Sequence, residues 1–155
     1  RLLRRDLPDA PPLVLVGRRG WMDDDIFQQV KTLGLAPHVV WIENAARGDL
    51  PAIYSGADVL ALPSHYEGFG LTALEAMACG TPPVVANRSS LPEVVGDGGT
   101  LVDPTPGGLA EGIEHVTSGA AELGTLVERG RERAATFTWE RSAREHARAW
   151  GALNG

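Results

Sequence analysis

Five short apolar runs, each bounded by turn residues and separated from the next by a stretch of helical spacing, restrict this chain to a parallel α/β architecture. The runs are Leu13–Val16, ending at Gly17; Val39–Ile42, after Gly34-Leu35-Ala36-Pro37; Val59–Leu62, ending at Pro63; Val84–Ala86, after Pro82-Pro83; and Thr100–Val102, ending at Asp103-Pro104. They are apolar throughout rather than alternating, which suits parallel strands covered on both faces. The intervening stripes are Ile26, Phe27, Val30 and Leu33; Leu50, Ile53, Tyr54 and Ala57; Leu71, Leu74 and Ala78; Leu109, Ile113 and Val116; Leu123, Leu126, Val127 and Ala134; and Trp139, Ala143, Ala147 and Trp150, with Thr138 as the cap of the last. A further short helix is expected from Ser90. Strands alternating with helices predict an open, doubly wound, mostly parallel sheet of about five strands, Rossmann-like, in one domain with helices on both faces. The Gly/Pro-rich stretch 96–108 reads as loop around a short strand.

Composition narrows the function. Fourteen basic against twenty acidic residues give a net charge of −6, which argues against a nucleic-acid surface but leaves room for one phosphorylated small molecule bound by a local field. With Cys79 alone, no internal disulfide can form, so a reducing, cytoplasmic setting is expected. No apolar run approaches the roughly 20 residues a membrane span needs. No signal peptide is recognisable, and the opening RLLRRDLPDAPP, with no initiator Met, reads as the tail of a helix in a longer protein.

In open α/β sheets, ligands bind beyond the carboxyl ends of the strands. The stretch SHYEGFGLTALEAMACGTP, residues 64–82, follows the run 59–62 directly and so lies at that edge. Thr72 and Glu75 have capping-box spacing, and the helix they would open ends at Gly80. Its first turn offers unpaired N–H groups, and Gly68 and Gly70 put no side chain in the way of a ligand; together these make an anion site at the positive end of a helix dipole. Two acids beside such a site would weaken phosphate binding unless each holds a neutral part of the ligand. Carboxylates accept strongly from vicinal hydroxyls. Glu75 is therefore placed on a ribose diol, Glu67 on hydroxyls of a sugar beyond the phosphates, and the turn between them on a diphosphate.

The string E-G-F-G-L-x-x-x-E-A-M-A-C-G-T-P resembles the E-x7-E motif of the retaining glycosyltransferases of family 4, which have a GT-B fold. The likeness extends to Asp49-Leu50-Pro51-Ala52-Ile53-Tyr54-Ser55-Gly56-Ala57-Asp58, Pro63-Ser64, Ser90-Leu91-Pro92-Glu93-Val94-Val95-Gly96, Leu101-Val102-Asp103-Pro104 and Thr138-Trp139-Glu140. It covers nearly the whole chain. The resemblance implies that residues 1–155 are the C-terminal, donor-binding domain of a hexosyl-transferring enzyme, with no cofactor and a nucleotide-diphosphate sugar as donor substrate. An N-terminal domain, absent here, would bind an acceptor that these motifs leave open, and membrane association would come through absent parts. Carried over by position, Glu67 is the catalytic residue at the donor sugar. Gly68, Phe69, Gly70, Leu71 and Thr72 line the donor, the amides of the last three holding the diphosphate. Glu75 holds the ribose, and the backbone of Ile42 and Glu43 meets the nucleobase. Transfer would retain the anomeric configuration and need no metal. The family's Arg/Lys clamp lies on a loop after a first strand that is missing here. Arg18 and Arg19 follow what corresponds to the second strand and are poor substitutes. Little or no transfer by this chain alone is therefore expected, with donor binding weaker than in the parent.

Plainer readings stand beside these. Glu75 could simply complete the capping box, Glu67 could be a solvated loop acid, and the glycines could shape a tight turn. Phe69 is expected to pack under the loop, Cys79 to fill core beside Met77, and His65 to sit at the surface or touch the sugar. Ser90-x-x-Glu93 reads as a second capping box. Asp23, Asp24 and Asp25 complement a helix start rather than bind metal. Trp139 and Trp150 would dock their helix on the core or on the absent domain. A sugar-nucleotide-binding module without catalysis, a GT-B-fold sugar-nucleotide epimerase and an empty doubly wound domain remain the alternatives.

Overall fold

The computed structural model describes residues 11–20 and 23–153. The fold is α/β with parallel strands: β1 (Leu13–Val16), α1 (Asp24–Thr32), a 3-10 turn (Ala36–His38), β2 (Val39–Ile42), α2 (Leu50–Ser55), β3 (Leu60–Leu62), α3 (Leu71–Ala78), β4 (Pro83–Ala86), α4 (Leu91–Val95), β5 (Thr100–Val102), α5 (Pro106–Ser118), α6 (Ala120–Ala135) and α7 (Trp139–Leu153). All five expected strands form, all in parallel, as a two-stranded sheet β1-β2 and a three-stranded sheet β3-β4-β5. The chain divides into two compact units, residues 1–53 and 54–155, with α2 crossing the boundary.

In the first unit, β1 pairs with β2 from Leu13↔Val39 to Val16↔Ile42. Trp41 Nε1 donates to the Gly17 carbonyl over 2.8 Å, and its ring lies 4.8 Å from that of Phe27 on α1. Coverage on both faces, expected of these apolar strands, is not found: Leu13, Val14, Val16 and Val40 are all 42–51% exposed. One crossover helix can cover only one face of a two-stranded ladder.

The second unit holds the core. Its central strand β4 is buried at every position, paired to β3 by Leu60↔Pro83 and to β5 by Val84↔Thr100. Pro83 lacks an N–H and is tolerated because it is the first residue of the strand. Met77, Val84, Val85, Leu91 and Val95 are fully buried; on the order of 1.5–3 kcal/mol comes from burying each such side chain. The fully buried residues of α3 are Ala73, Ala76 and Met77; of the expected stripe Leu71, Leu74 and Ala78, Leu74 packs half-buried against the core while Leu71 is 54% exposed and Ala78 is exposed. The small alanines and Gly130 on α6 permit this: a Cβ at Gly130 would stand 3.3 Å from Met77 Cγ. Backbone meets backbone nearby, since a Cβ at Gly98 would lie 2.7 Å from Gly130 Cα. Arg133 on α6 donates from Nε to the Val94 carbonyl over 3.1 Å, satisfying an orphan carbonyl at the end of α4.

Helix α7 is capped as its sequence suggests, the Arg141 amide donating to Thr138 Oγ1 over 3.1 Å. Trp139 and Trp150 stay 83% and 67% exposed, so neither is docked in this unit's core. None of the described helices is long and apolar enough to cross a membrane.

Candidate functional site

The loop after β3 and the start of α3 bring Glu67, Gly68, Phe69, Gly70, Leu71, Thr72 and Glu75 together in the second unit. The capping box is not made. Helix α3 begins two residues earlier than Thr72 as its cap would require, with Gly70 as its N-cap in the left-handed region, φ 102° and ψ 41°. Gly70 is fixed twice over, by that conformation and by Leu91, whose Cδ2 would lie 2.8 Å from an added Cβ. The helix bonds begin with the amides of Ala73 and Leu74, which donate to the Gly70 carbonyl over 3.0 and 3.3 Å. Among the described residues, no acceptor meets the amides of Leu71 and Thr72, and both residues are exposed. Gly70 itself is buried, and the two exposed residues follow it in the first turn.

Gly68 differs from Gly70. It is exposed, its φ is not positive, and a Cβ built on it meets nothing within 4 Å. Nothing in the folded chain requires a glycine there.

A second loop grips the first. The Ser90 hydroxyl lies 3.0 Å from the Glu67 carbonyl and 2.9 Å from that of Phe69, and shares its proton between them. The Glu67 amide donates to Ser89 Oγ over 2.9 Å. Ser89 is the one described non-glycine residue with positive φ, 48°. That conformation costs about 1–2 kcal/mol, and the bond to Glu67 helps to offset it. The expected capping box of Ser90 and Glu93 is therefore replaced: Ser90 precedes α4 but spends its hydroxyl on the loop, not on its own helix. Phe69, expected to pack under the loop, is instead 41% exposed, its ring edge-on to Phe137 with centroids 5.7 Å apart.

Each acid is held by one hydroxyl. Ser64 Oγ donates to Glu67 Oε1 over 2.8 Å, and Glu67 is half-buried. Tyr54 Oη donates to Glu75 Oε2 over 2.9 Å, and Glu75 is exposed. Burial pushes the Tyr54 phenol up to about 12, with further contributions from its hydrogen bond to Glu75 and the charge of that carboxylate. Tyr54 is the residue that local spacing could not find, because it stands 21 positions before its partner. His65 is exposed.

Ile42 and Glu43 belong to the first unit. Ile42 ends β2, half-buried, and its carbonyl accepts from the Gly17 amide over 3.0 Å; Glu43 is exposed in the turn that follows. Arg19 is occupied. It donates to Asp23 over 2.8 Å and to Asp24, and its guanidinium lies 4.6 Å from the Phe27 ring centroid. The hydrogen bond from Arg19 holds the Asp23 carboxyl below its ordinary value. Asp23 and Asp24 thus face a cation, and among the described residues no cluster of His, Cys, Asp and Glu could hold a metal. A cavity of about 400 Å³ in the second unit, whose walls include Thr100, His115, Glu122 and Arg129, shares no residue with the 64–75 loop. Glu122 is the one acid in its lining, so it offers no pair of acids, and the functional reading rests on the loop.

Comparisons with known proteins agree on one family. The description "Glycosyl transferases group 1" matches residues 1–133. The O-antigen chain mannosyltransferase B of Escherichia coli is 37% identical over 143 residues, covering 92% of this chain and 38% of that protein. Among solved structures, Anabaena Alr3699/HepE in complex with UDP superposes with a TM-score of 0.81 at 26% identity, covering 97% of this chain and 44% of that one. The C-terminal domain of a Francisella tularensis glycosyl transferase group 1 family protein, LpcC, gives a TM-score of 0.75 at 26% identity, covering 87% of this chain and 73% of that one. The chain thus spans well under half the length of the curated mannosyltransferase.

Proposed function

Since the chain belongs to the group 1 glycosyl transferases and has their GT-B, Rossmann-like fold, we propose that it is the donor-binding half of a retaining enzyme of family 4. The parent would move a hexose from a nucleotide-diphosphate sugar to an acceptor held by an N-terminal domain. The observation that carries this reading is the first turn of α3, where the amides of two exposed residues, Leu71 and Thr72, find no acceptor and are flanked in sequence by Glu67 and Glu75, each tethered by one hydroxyl.

The amides of Gly70, Leu71 and Thr72 would hold the diphosphate. On a surface the helix dipole adds only about 0.3–1 kcal/mol, too little for affinity by itself. Amides aimed at charge developing on a leaving group are worth more, roughly 2.7–4 kcal/mol each in a closed site. Glu67, on the loop, serves the donor sugar at its reacting face, and Glu75 takes the ribose diol. Ile42 and Glu43 present backbone to the nucleobase. Gly68, which the fold does not demand, leaves room for the ligand, and Phe69 supports the loop through Phe137. HepE was solved with UDP bound, and the Francisella domain is described as C-terminal; both support the reading. Arg19, tied to Asp23 and Asp24, is a poor phosphate clamp, so the chain alone is expected to bind donor weakly and to transfer nothing.

The test is calorimetric titration of UDP-, GDP- and ADP-sugars into the protein. One of the three should bind, and Glu75→Gln should weaken it. No heat from any of them at millimolar concentration overturns the proposal.

A further inference from the structure

We propose, building on the assignment of Glu75 to the ribose, that Tyr54 is a positioning residue which fixes the Glu75 carboxylate so that its remaining lone pairs face the sugar diol. The argument starts at the far end of α3. That helix closes in a Schellman motif: the Gly80 amide donates to the Met77 carbonyl over 3.0 Å and the Thr81 amide to the Ala76 carbonyl over 2.9 Å. Thr81 is thereby buried to 2% exposure, and its hydroxyl donates to the Tyr54 carbonyl. The Tyr54 backbone is thus anchored to the C-terminal end of α3, while its phenol reaches Glu75 in the middle of the same helix over 2.9 Å.

The consequence for Glu75 follows from its inventory of acceptor sites. A carboxylate has about four lone-pair sites, and the phenol occupies one of them, on Oε2. A vicinal diol uses two more. Without the phenol, an exposed glutamate on a helix samples several rotamers and must be ordered by the ligand. With it, one oxygen is pinned before the ligand arrives. Glu75 follows Thr72 by one helical turn, and helical side chains lean toward the N-terminus, the direction of the unpaired amides. Tyrosine suits the role because its ring has few rotatable bonds and its phenol, a donor toward Glu75, keeps its proton well into alkaline pH.

Tyr54→Phe removes the hydroxyl and keeps both the ring and the carbonyl that Thr81 holds. The variant and the unaltered chain are titrated with UDP, GDP and ADP, and the tightest of these is compared with its 2′-deoxy analogue. The expected result is that Tyr54→Phe weakens the ribonucleotide about three- to tenfold, the range of one net hydrogen bond, while the 2′-deoxy analogue binds as before. A role confined to stability would lower both alike and would show in thermal unfolding. Two outcomes separate the readings. If Glu75→Gln abolishes ribose preference and Tyr54→Phe leaves it intact, the positioning role is wrong and the donor site stands. If none of the three nucleotides binds, the donor reading falls and this inference with it. A spectroscopic check is independent of ligand: the tyrosine ionisation near pH 12, followed by absorbance, should vanish in Tyr54→Phe and move down in Glu75→Gln, and an unmoved step in Glu75→Gln also overturns the pairing.

Discussion

Ser64 and Glu67 are joined across one turn of loop, the serine hydroxyl donating to Oε1 over 2.8 Å, so the acid assigned to the donor sugar is oriented before any ligand binds. In the parent enzyme, Glu67→Gln is expected to lower kcat as well as raise the donor KM, whereas Glu75→Gln should act mainly on KM. Ser64→Ala should shift the same parameters as Glu67→Gln by less, about 1–1.5 kcal/mol, the net worth of one hydrogen bond. Steady-state kinetics with varied donor measure all three. Wild-type behaviour in both acid variants would remove the residue roles.

Gly70→Ala combines two penalties. A Cβ in the left-handed region costs about 1–2 kcal/mol. Collision with Leu91 adds overpacking in the core, about 1–3 kcal/mol. Denaturant unfolding should therefore show a loss of about 2–5 kcal/mol. Gly68→Ala, which meets nothing, should unfold like the unaltered protein yet bind donor less well. A stability loss at Gly68 equal to that at Gly70 would contradict the distinction.

Ser90→Ala frees the carbonyls of Glu67 and Phe69 from the loop that holds them. Its expected cost in stability is about 1 kcal/mol, because both carbonyls can turn to water. The larger effect should be on donor affinity, since the loop between the acids loses its anchor. Calorimetric titration beside thermal unfolding separates the two, and Ser90→Thr, which restores a hydroxyl, should recover most of the binding.

Tyr54 makes stability depend on alkaline pH. Its folded value is raised from 10.0 to about 12, so the folded state binds more protons than the unfolded state between those limits. The stabilisation is complete below pH 10 and is lost as pH rises toward 12. Denaturation midpoints measured across that window should fall more steeply for the unaltered chain than for Tyr54→Phe. Parallel slopes would mean the phenol is not tied in the folded state.

The existence of the strands and helices is legible in the spacing of apolar runs and stripes, but their burial is not, since Leu13, Val14, Val16 and Val40 stay exposed. The capping box was not, because a T-x-x-E spacing occurs wherever a threonine and a glutamate fall one turn apart inside a helix. Gly70, with a left-handed backbone and no side chain, took the cap position that Thr72 was expected to hold. The buried face of α3 was misread for a related reason: six of its eight residues are apolar, so leucines and alanines compete for the core, and close approach to Gly130 decides for Ala73, Ala76 and Met77. The partners Tyr54 and Ser90 were illegible as such because each reaches its target across more than twenty residues of chain.

The spacer-free contact of Gly98 with Gly130 gives the fold a vulnerability outside the loop of residues 64–75. Any side chain at Gly98 would wedge α6 outward, and Met77 on α3 leans on that helix beside Gly130. A genetic screen for alleles that lose function should thus recover bulky replacements at these two glycines, in proteins whose residues 64–75 are all untouched.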